Sequence, residues 1–131
     1  MLSALLLMAL TANATVWWRI HTNRDDAYAR FLDWAEGSLP PTSRVVATDE
    51  TTQFVLDDAR VIRLETGAET RAFRAQYVVV VTQLLEQGYS NVDADLLDIV
   101  QQGSLVFEAR GPTVGALQVY DVTAALAQPP R

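Results

Sequence analysis

The chain has 131 residues, half of them hydrophobic, with ten Arg, no Lys, sixteen Asp and Glu, one His and no Cys, for a net charge of −6. That length holds one domain with room for an appendage, and the apolar fraction supports a packed core rather than a disordered chain. An acidic chain lacks the basic surface that nucleic acid requires, the absence of Cys excludes disulfides, thiolate metal sites and Cys nucleophiles, and a lone His21 argues against multi-His metal centres and a Ser-His-Asp triad.

The use of Arg alone for positive charge reads first as a GC-rich coding bias and second as Arg-specific chemistry. Residues 1–18 carry no charge, and as a helix they extend about 27 Å, close to the roughly 30 Å of a bilayer core. Trp17, Trp18 and Arg19 resemble an interfacial anchor. A membrane span is the first reading of this stretch. A signal peptide, with Ala12-Asn13-Ala14 as a small-x-small cleavage shape but no basic leader, is the second, and a helix buried in the protein itself is the third. The segment 1–21 is therefore set apart as a transmembrane or signal-like apolar helix. Arg19, His21 and Arg24 follow it, and by the positive-inside rule they place the following domain in the cytoplasm.

A helix begins near Asn23, with Asp25 and Asp26 in its first turn and Tyr28, Phe31, Leu32 and Ala35 on one apolar face. Trp34 falls beside that face, half exposed, with packing against a neighbouring segment as its first reading and a sugar-stacking platform as its second. Gly37 fits a C-cap, and Leu39-Pro40-Pro41 stops the helix. The first strand of the domain covers residues 44–48. A short helix over about 50–57 carries Phe54, Val55 and Leu56 inward. Residues 60–64 form a second strand, nearer an edge because Arg60 and Arg63 flank Val61 and Ile62. Gly67 opens a turn, and residues 69–75 form a weak helix anchored by Phe73.

Residues 77–82, Tyr-Val-Val-Val-Val-Thr, form the central element. Four consecutive β-branched residues are too few for a helix, and a strand without polar alternation is buried on both faces. A helical turn or loop follows at 83–87, then the turn signal Gly88-Tyr89-Ser90-Asn91. Asp93 caps a helix running to Gln102, with Leu96, Leu97 and Val100 inward, and Gly103 stops it. Residues 104–109 and 116–121 are the last strands, joined by a loop suited to an antiparallel hairpin. Residues 123–131 read as a flexible tail.

This order predicts an α/β domain over residues 22–122. It is a small three-layer mixed sheet of about five strands, three of them parallel and two in a C-terminal antiparallel hairpin, with helices on both faces. Ligands of such sheets bind beyond the carboxyl ends of the parallel strands. That places Asp49, Glu50, Thr82 and Tyr89 as ligand-binding candidates. The plainer roles are a helix cap for Asp49 or Glu50 and a strand-end hydroxyl serving the backbone for Thr82. No Gly-rich phosphate loop is present. The clusters Asp57-Asp58 and Asp93, Asp95 and Asp98 read as solvated faces, since neither offers a calcium loop. No nucleophile paired with a base is visible, and no cofactor or metal is expected.

Several segments together resemble a known family. They are Leu39-Pro40-Pro41-Thr42-Ser43-Arg44-Val45-Val46, Ala75-Gln76-Tyr77-Val78-Val79-Val80, Glu86-Gln87-Gly88-Tyr89, Leu105-Val106-Phe107-Glu108 and Val119-Tyr120-Asp121-Val122, behind an uncharged span. The arrangement resembles the C-terminal extramembrane domain of bacterial polytopic glycosyltransferases of the type C fold, which use polyprenyl-phosphate sugars. The resemblance implies a non-catalytic accessory domain that assists acceptor access or stability, joined to further membrane spans of a longer protein that hold the catalytic carboxylate. It also implies an extracytoplasmic position, and it is preferred here over the charge rule, which is least reliable for one span of many. The alternative is a free-standing α/β module, anchored to the bilayer through residues 1–18, that binds a small ligand or a protein partner.

Overall fold

In the computed structural model, which describes residues 26–56 and 60–128 together with Thr11, Asn13 and Ala14, the valine run is the middle strand of a five-stranded sheet. In chain order the elements are α1 (Ala27–Ser38), β1 (Val45–Ala47), α2 (Glu50–Leu56), β2 (Val61–Arg63), α3 (Gly67–Phe73) and β3 (Tyr77–Val81). They continue with α4 (Thr82–Glu86), α5 (Ala94–Gln102), β4 (Ser104–Gly111), β5 (Gly115–Asp121) and α6 (Thr123–Leu126). Thr11, Asn13 and Ala14 are helical and exposed. The rest of the apolar leader, with His21, and the pair Asp57-Asp58 lie outside the described residues. Among the described residues no helix is long and apolar enough to cross a membrane.

The strand order is β2-β1-β3-β5-β4. β1 runs parallel to both β2 and β3, whereas β5 is antiparallel to β3 and to its hairpin partner β4. The sheet is therefore mixed, with three parallel strands and a C-terminal hairpin. Alternate valines of β3 serve opposite layers, because successive strand side chains point to opposite faces. Val79 and Val81 join Ala27 and Phe31 of α1 in one apolar cluster. Val78 and Val80 join Leu96, Ile99 and Val100 of α5 and Ala125 of α6 in the other. None of the four valines is more than 6 % exposed. Burial of each contributes about 1.5–3 kcal/mol, which is why an unbroken apolar run sits here and not at an edge.

The edges are short or irregular. β2 has three residues and leaves Ile62 part-exposed. β4, at the other edge, has a register shift between Leu105 and Phe107. Such a bulge interrupts the row of free backbone groups that would otherwise pair with another chain. On the α1 face, Trp34 stacks on Phe107 with centroids 5.0 Å apart, and Phe31 lies 6.3 Å from Trp34. Trp34 thus packs against a strand that follows it in sequence by some seventy residues.

Several sequence expectations are corrected. Gly37 is inside α1, and the helix runs on to Ser38 with Leu39 extended at the cap. Leu39 precedes Pro40, whose ring drives the preceding residue out of the helical region, so the proline and not the glycine sets the end. Phe54 points outward at 80 % exposure, and Thr52 takes the buried position of α2 instead. In α5 the inward residue beside Leu96 and Val100 is Ile99, with Leu97 only half-buried. The acidic cluster of α5 is not simply a solvated face. Asp93 Oδ1 accepts from Leu96 N–H at 2.7 Å and from Gly67 N–H at 3.0 Å, and Asp95 pairs with Arg71 at 2.6 Å. These carboxylates join α5 to α3. The first part of the C-terminal segment, 123–126, is helical. Asp121 Oδ1 accepts from Thr123 N–H at 2.9 Å, and Ala125 is buried against α5's cluster.

Candidate functional site

The carboxyl ends of β1 and β3 flank the point where the strand order turns, since the chain leaves β1 for β2 on one side and returns to β3 on the other. A crevice at that position is the usual ligand site of an open α/β sheet. Here the protein's own groups fill it. Thr48 Oγ1 donates to Val79 O at 2.9 Å, and Ser90 Oγ donates to Thr48 O at 2.7 Å. Asp49 is buried, and its two carboxylate oxygens accept from Thr52 N–H at 2.8 Å and from Thr52 Oγ1 at 2.7 Å. Asp49 therefore caps α2, which leaves Thr52 satisfied in a position of zero exposure. Glu50 is exposed in the first turn of α2. Tyr89 is 72 % exposed on the loop after Gly88, whose φ of 75° reverses the chain.

The open cleft lies further along, where β3 gives way to α4 beside the β4–β5 hairpin. It has a volume of about 630 Å³ and is walled by Thr82, Gln83, Glu86, Gln87, Arg110 and Gln118, with Gly115 and Ala116 at the turn. Of the four residues expected to bind a ligand, Thr82 alone lines it. The turn is pinned to α4 by two bonds: Ala116 N–H donates to Thr82 Oγ1 at 2.9 Å, and Gln83 N–H donates to Val114 O at 3.2 Å. Gly115 makes this approach possible. Its φ is 66°, and a Cβ there would lie 2.8 Å from Thr82 Oγ1. The Thr82 hydroxyl so serves a backbone N–H while still facing the cleft.

From Arg110 and Gln118 on the cleft wall, a chain of polar side chains runs along the hairpin to Glu108 and Tyr120. Gln118 stands opposite Val80 and Glu108, so it projects from the same face as Val80. Arg110 Nε donates to Glu108 Oε1 at 2.8 Å, Gln118 Nε2 donates to Glu108 Oε2 at 2.7 Å, and Tyr120 Oη donates to Gln118 Oε1 at 3.1 Å. Arg110 and then Gln118, hydrogen-bonded to Glu108, hold its carboxyl below the ordinary value. Partial burial, and next the Glu108 charge, push the Tyr120 phenol up. Both groups stay in their neutral-pH states, Glu108 ionised and Tyr120 protonated, and the bonds converge on the Glu108 carboxylate, from Tyr120 through Gln118 on one side and from Arg110 on the other.

Sequence reasoning missed Gln83, Glu86, Gln87, Arg110 and Gln118. Three of these are neutral amides with no sequence motif, and only the return of the hairpin beside β3 brings them together. The alternation of Gln118 and Tyr120 with apolar neighbours in β5 is the one signal that could have shown a polar face. Among the described residues no group of acidic and His side chains is placed to hold a metal ion. Comparison with protein-family models, with curated proteins and with solved structures finds no match to the chain.

Proposed function

We propose that this chain is a non-catalytic binding module whose cleft between α4 and the hairpin takes a small neutral ligand rich in hydroxyl groups, such as a sugar. The carrying observation is the cleft lining. Gln83, Gln87 and Gln118 stand around it with Thr82. Gln83 and Gln87 each offer two N–H donors and an acceptor, and Gln118, tied through Nε2 to Glu108 and through Oε1 to Tyr120, keeps a second N–H; such groups pair with hydroxyls in either sense. Among the described lining residues the cation Arg110 is already matched by Glu108, and the other charged group on the wall, the Glu86 carboxylate, accepts from hydroxyls and disfavours an anion. The arrangement therefore suits hydrogen bonding to an uncharged ligand better than proton transfer or anion capture.

The setting proposed for this module is that of an accessory domain of, or derived from, a membrane glycosyltransferase. What supports it is the set of segments that resemble such extramembrane domains and the uncharged residues 1–18, which would tether the module to the bilayer. In that setting the ligand is the sugar part of a donor or acceptor, held outside the cytoplasm while chemistry takes place in other spans.

The test is a titration of the full chain with neutral mono- and disaccharides, followed by NMR of the Gln side-chain amides. Saturable movement of the Gln83, Gln87 and Gln118 signals is expected, and it should be weakened by Gln118→Ala. Saccharides that leave those amides unmoved, or that move only signals elsewhere, refute the cleft as the site. Turnover of a lipid-linked sugar by this chain alone refutes the non-catalytic role.

A further inference from the structure

We propose that the opposite end of the sheet holds a second site, for a phosphate group, in the cleft of about 310 Å³ walled by Arg44, Arg71, Arg74, Gln76 and Thr123. This site shares no residue with the polar cleft and does not depend on a sugar binding there. The chain has a net charge of −6, yet three of its ten Arg meet at this one concavity.

The backbone around them holds the Arg44 guanidinium against the turn that carries Arg74. α3 ends in a Schellman motif, with Arg74 N–H donating to Arg71 O at 2.9 Å and Ala75 N–H donating to Thr70 O at 3.2 Å. The residue at this turn takes the left-handed conformation, and glycine ordinarily stands there because a Cβ is penalised. Arg74 occupies it instead, with φ 55° and ψ 51°, and among the described residues no other non-glycine has a positive φ. Strain of this kind clusters at functional positions, and here it places a charged side chain where none is needed to end a helix. The Arg74 carbonyl accepts from Arg44 Nε at 2.9 Å. Arg44 is held in turn by its backbone, with its carbonyl accepting from Gln76 and Tyr77 N–H and its own N–H donating to Gln76 Oε1 at 3.1 Å.

The charge at this end is not balanced within the cleft. Among the described residues no carboxylate pairs with Arg44 or Arg74. Arg71 gives Nη1 to Asp95, but its Nε is buried without a hydrogen-bond partner. The nearby Asp121 carboxylate accepts from Thr123 N–H. Guanidinium forks match the oxygens of a tetrahedral phosphate, and several together favour a phosphomonoester or diphosphate over a single carboxylate. The cleft exceeds the size of one phosphate, and Leu126 and Ala127 on its wall leave an apolar surface for the group that carries it.

The experiment is a calorimetric titration of the full chain with sodium pyrophosphate at fixed ionic strength, with NMR of the Arg Nε–H signals. Saturable one-site binding that moves the Arg44, Arg71 and Arg74 signals is expected. Arg74→Gln should weaken it by about tenfold with an unchanged circular dichroism spectrum. Arg74→Gly separates binding from folding, because it should raise Tm by removing the strained Cβ while weakening binding by a similar factor. Vesicles containing phosphatidic acid, whose phosphate is a monoester, and vesicles of phosphatidylserine at matched surface charge identify the source of the phosphate. A preference for phosphatidic acid that falls in Arg74→Gln assigns a lipid headgroup, whereas pyrophosphate binding without that preference assigns a soluble phosphorylated compound. Absence of saturable pyrophosphate binding, or wild-type binding by both Arg44→Gln and Arg74→Gln, overturns the site.

Discussion

Asp49 shows how one carboxylate can look like a ligand in sequence and serve as a cap in the fold. Both its oxygens are engaged by Thr52, a residue with no exposed surface. Asp49→Ala leaves a buried N–H and a buried hydroxyl without partners, and it should lower unfolding free energy by about 2 kcal/mol in urea denaturation. Saccharide and phosphate affinities should not change. Glu108 belongs to the same scale and gives a pH signature. Its folded pKa lies below the ordinary 4.5, so the folded state binds its proton less readily than the unfolded chain does. Its contribution to stability is therefore complete above that ordinary value and fades as pH falls through the lowered folded value. An NMR titration should find the Glu108 carboxyl midpoint below 4.5 in the native chain and shifted upward in Arg110→Gln.

At the scale of elements, two glycines in helices predict opposite outcomes. Gly37 is an exposed position inside α1, and an added Cβ there meets nothing within 4 Å. Gly37→Ala should stabilise the fold by about 0.5–1 kcal/mol, since glycine loses more backbone freedom in a helix than alanine does. Gly67, the first residue of α3, faces α5 so closely that a Cβ would collide with the Asp95 side chain and lie 2.9 Å from its backbone carbonyl carbon. Gly67→Ala should destabilise by about 1–3 kcal/mol, as overpacking does, and should break the Asp95–Arg71 pair. Thermal melts of the two variants, read together, check both signs. The pair also explains why α3 forms from a weak helical sequence. Thr66 caps it by accepting from Glu69 N–H, Asp93 anchors its N-terminus from α5, and the docking supplies what propensity does not.

Over the whole molecule, the two apolar clusters lie on opposite faces of one sheet, and both draw their members from residues 27–125. A polypeptide of residues 26–128 should therefore unfold in one cooperative transition. Its slowest amide exchange should fall on β3, which is flanked by β1 and β5 and covered on both sides. Fast exchange at the valines, faster than at the edge strand β2, would contradict that layering. The same arrangement separates the two clefts. One opens at the carboxyl end of β3 beside α4, the other at the amino ends of β1 and β3 where Arg44 and Gln76 stand.

The valine run needed only local chemistry to be read as a buried strand, because β-branched residues without polar alternation have no other stable place in a sheet of this size. The same holds for the Asp93 cap, the stop at Gly103 and the hairpin of β4 and β5, each of which depends on neighbours within a few residues. Residues whose role depends on a distant partner were not readable in this way. Thr52 and Phe54 lie two residues apart in one short helix, and only packing decided which was buried. Asp93 and Asp95 became links between helices because α3 lies beside α5. The polar cleft joins residues about thirty positions apart, as Thr82 with Ala116 shows, and the arginine cleft joins Arg44 to Arg74 across a comparable distance. Local pattern determines which segments can be strands and helices. Which side chains then meet in a concavity is set by the order in which those segments lie in the sheet, and that order is a property of the packed molecule.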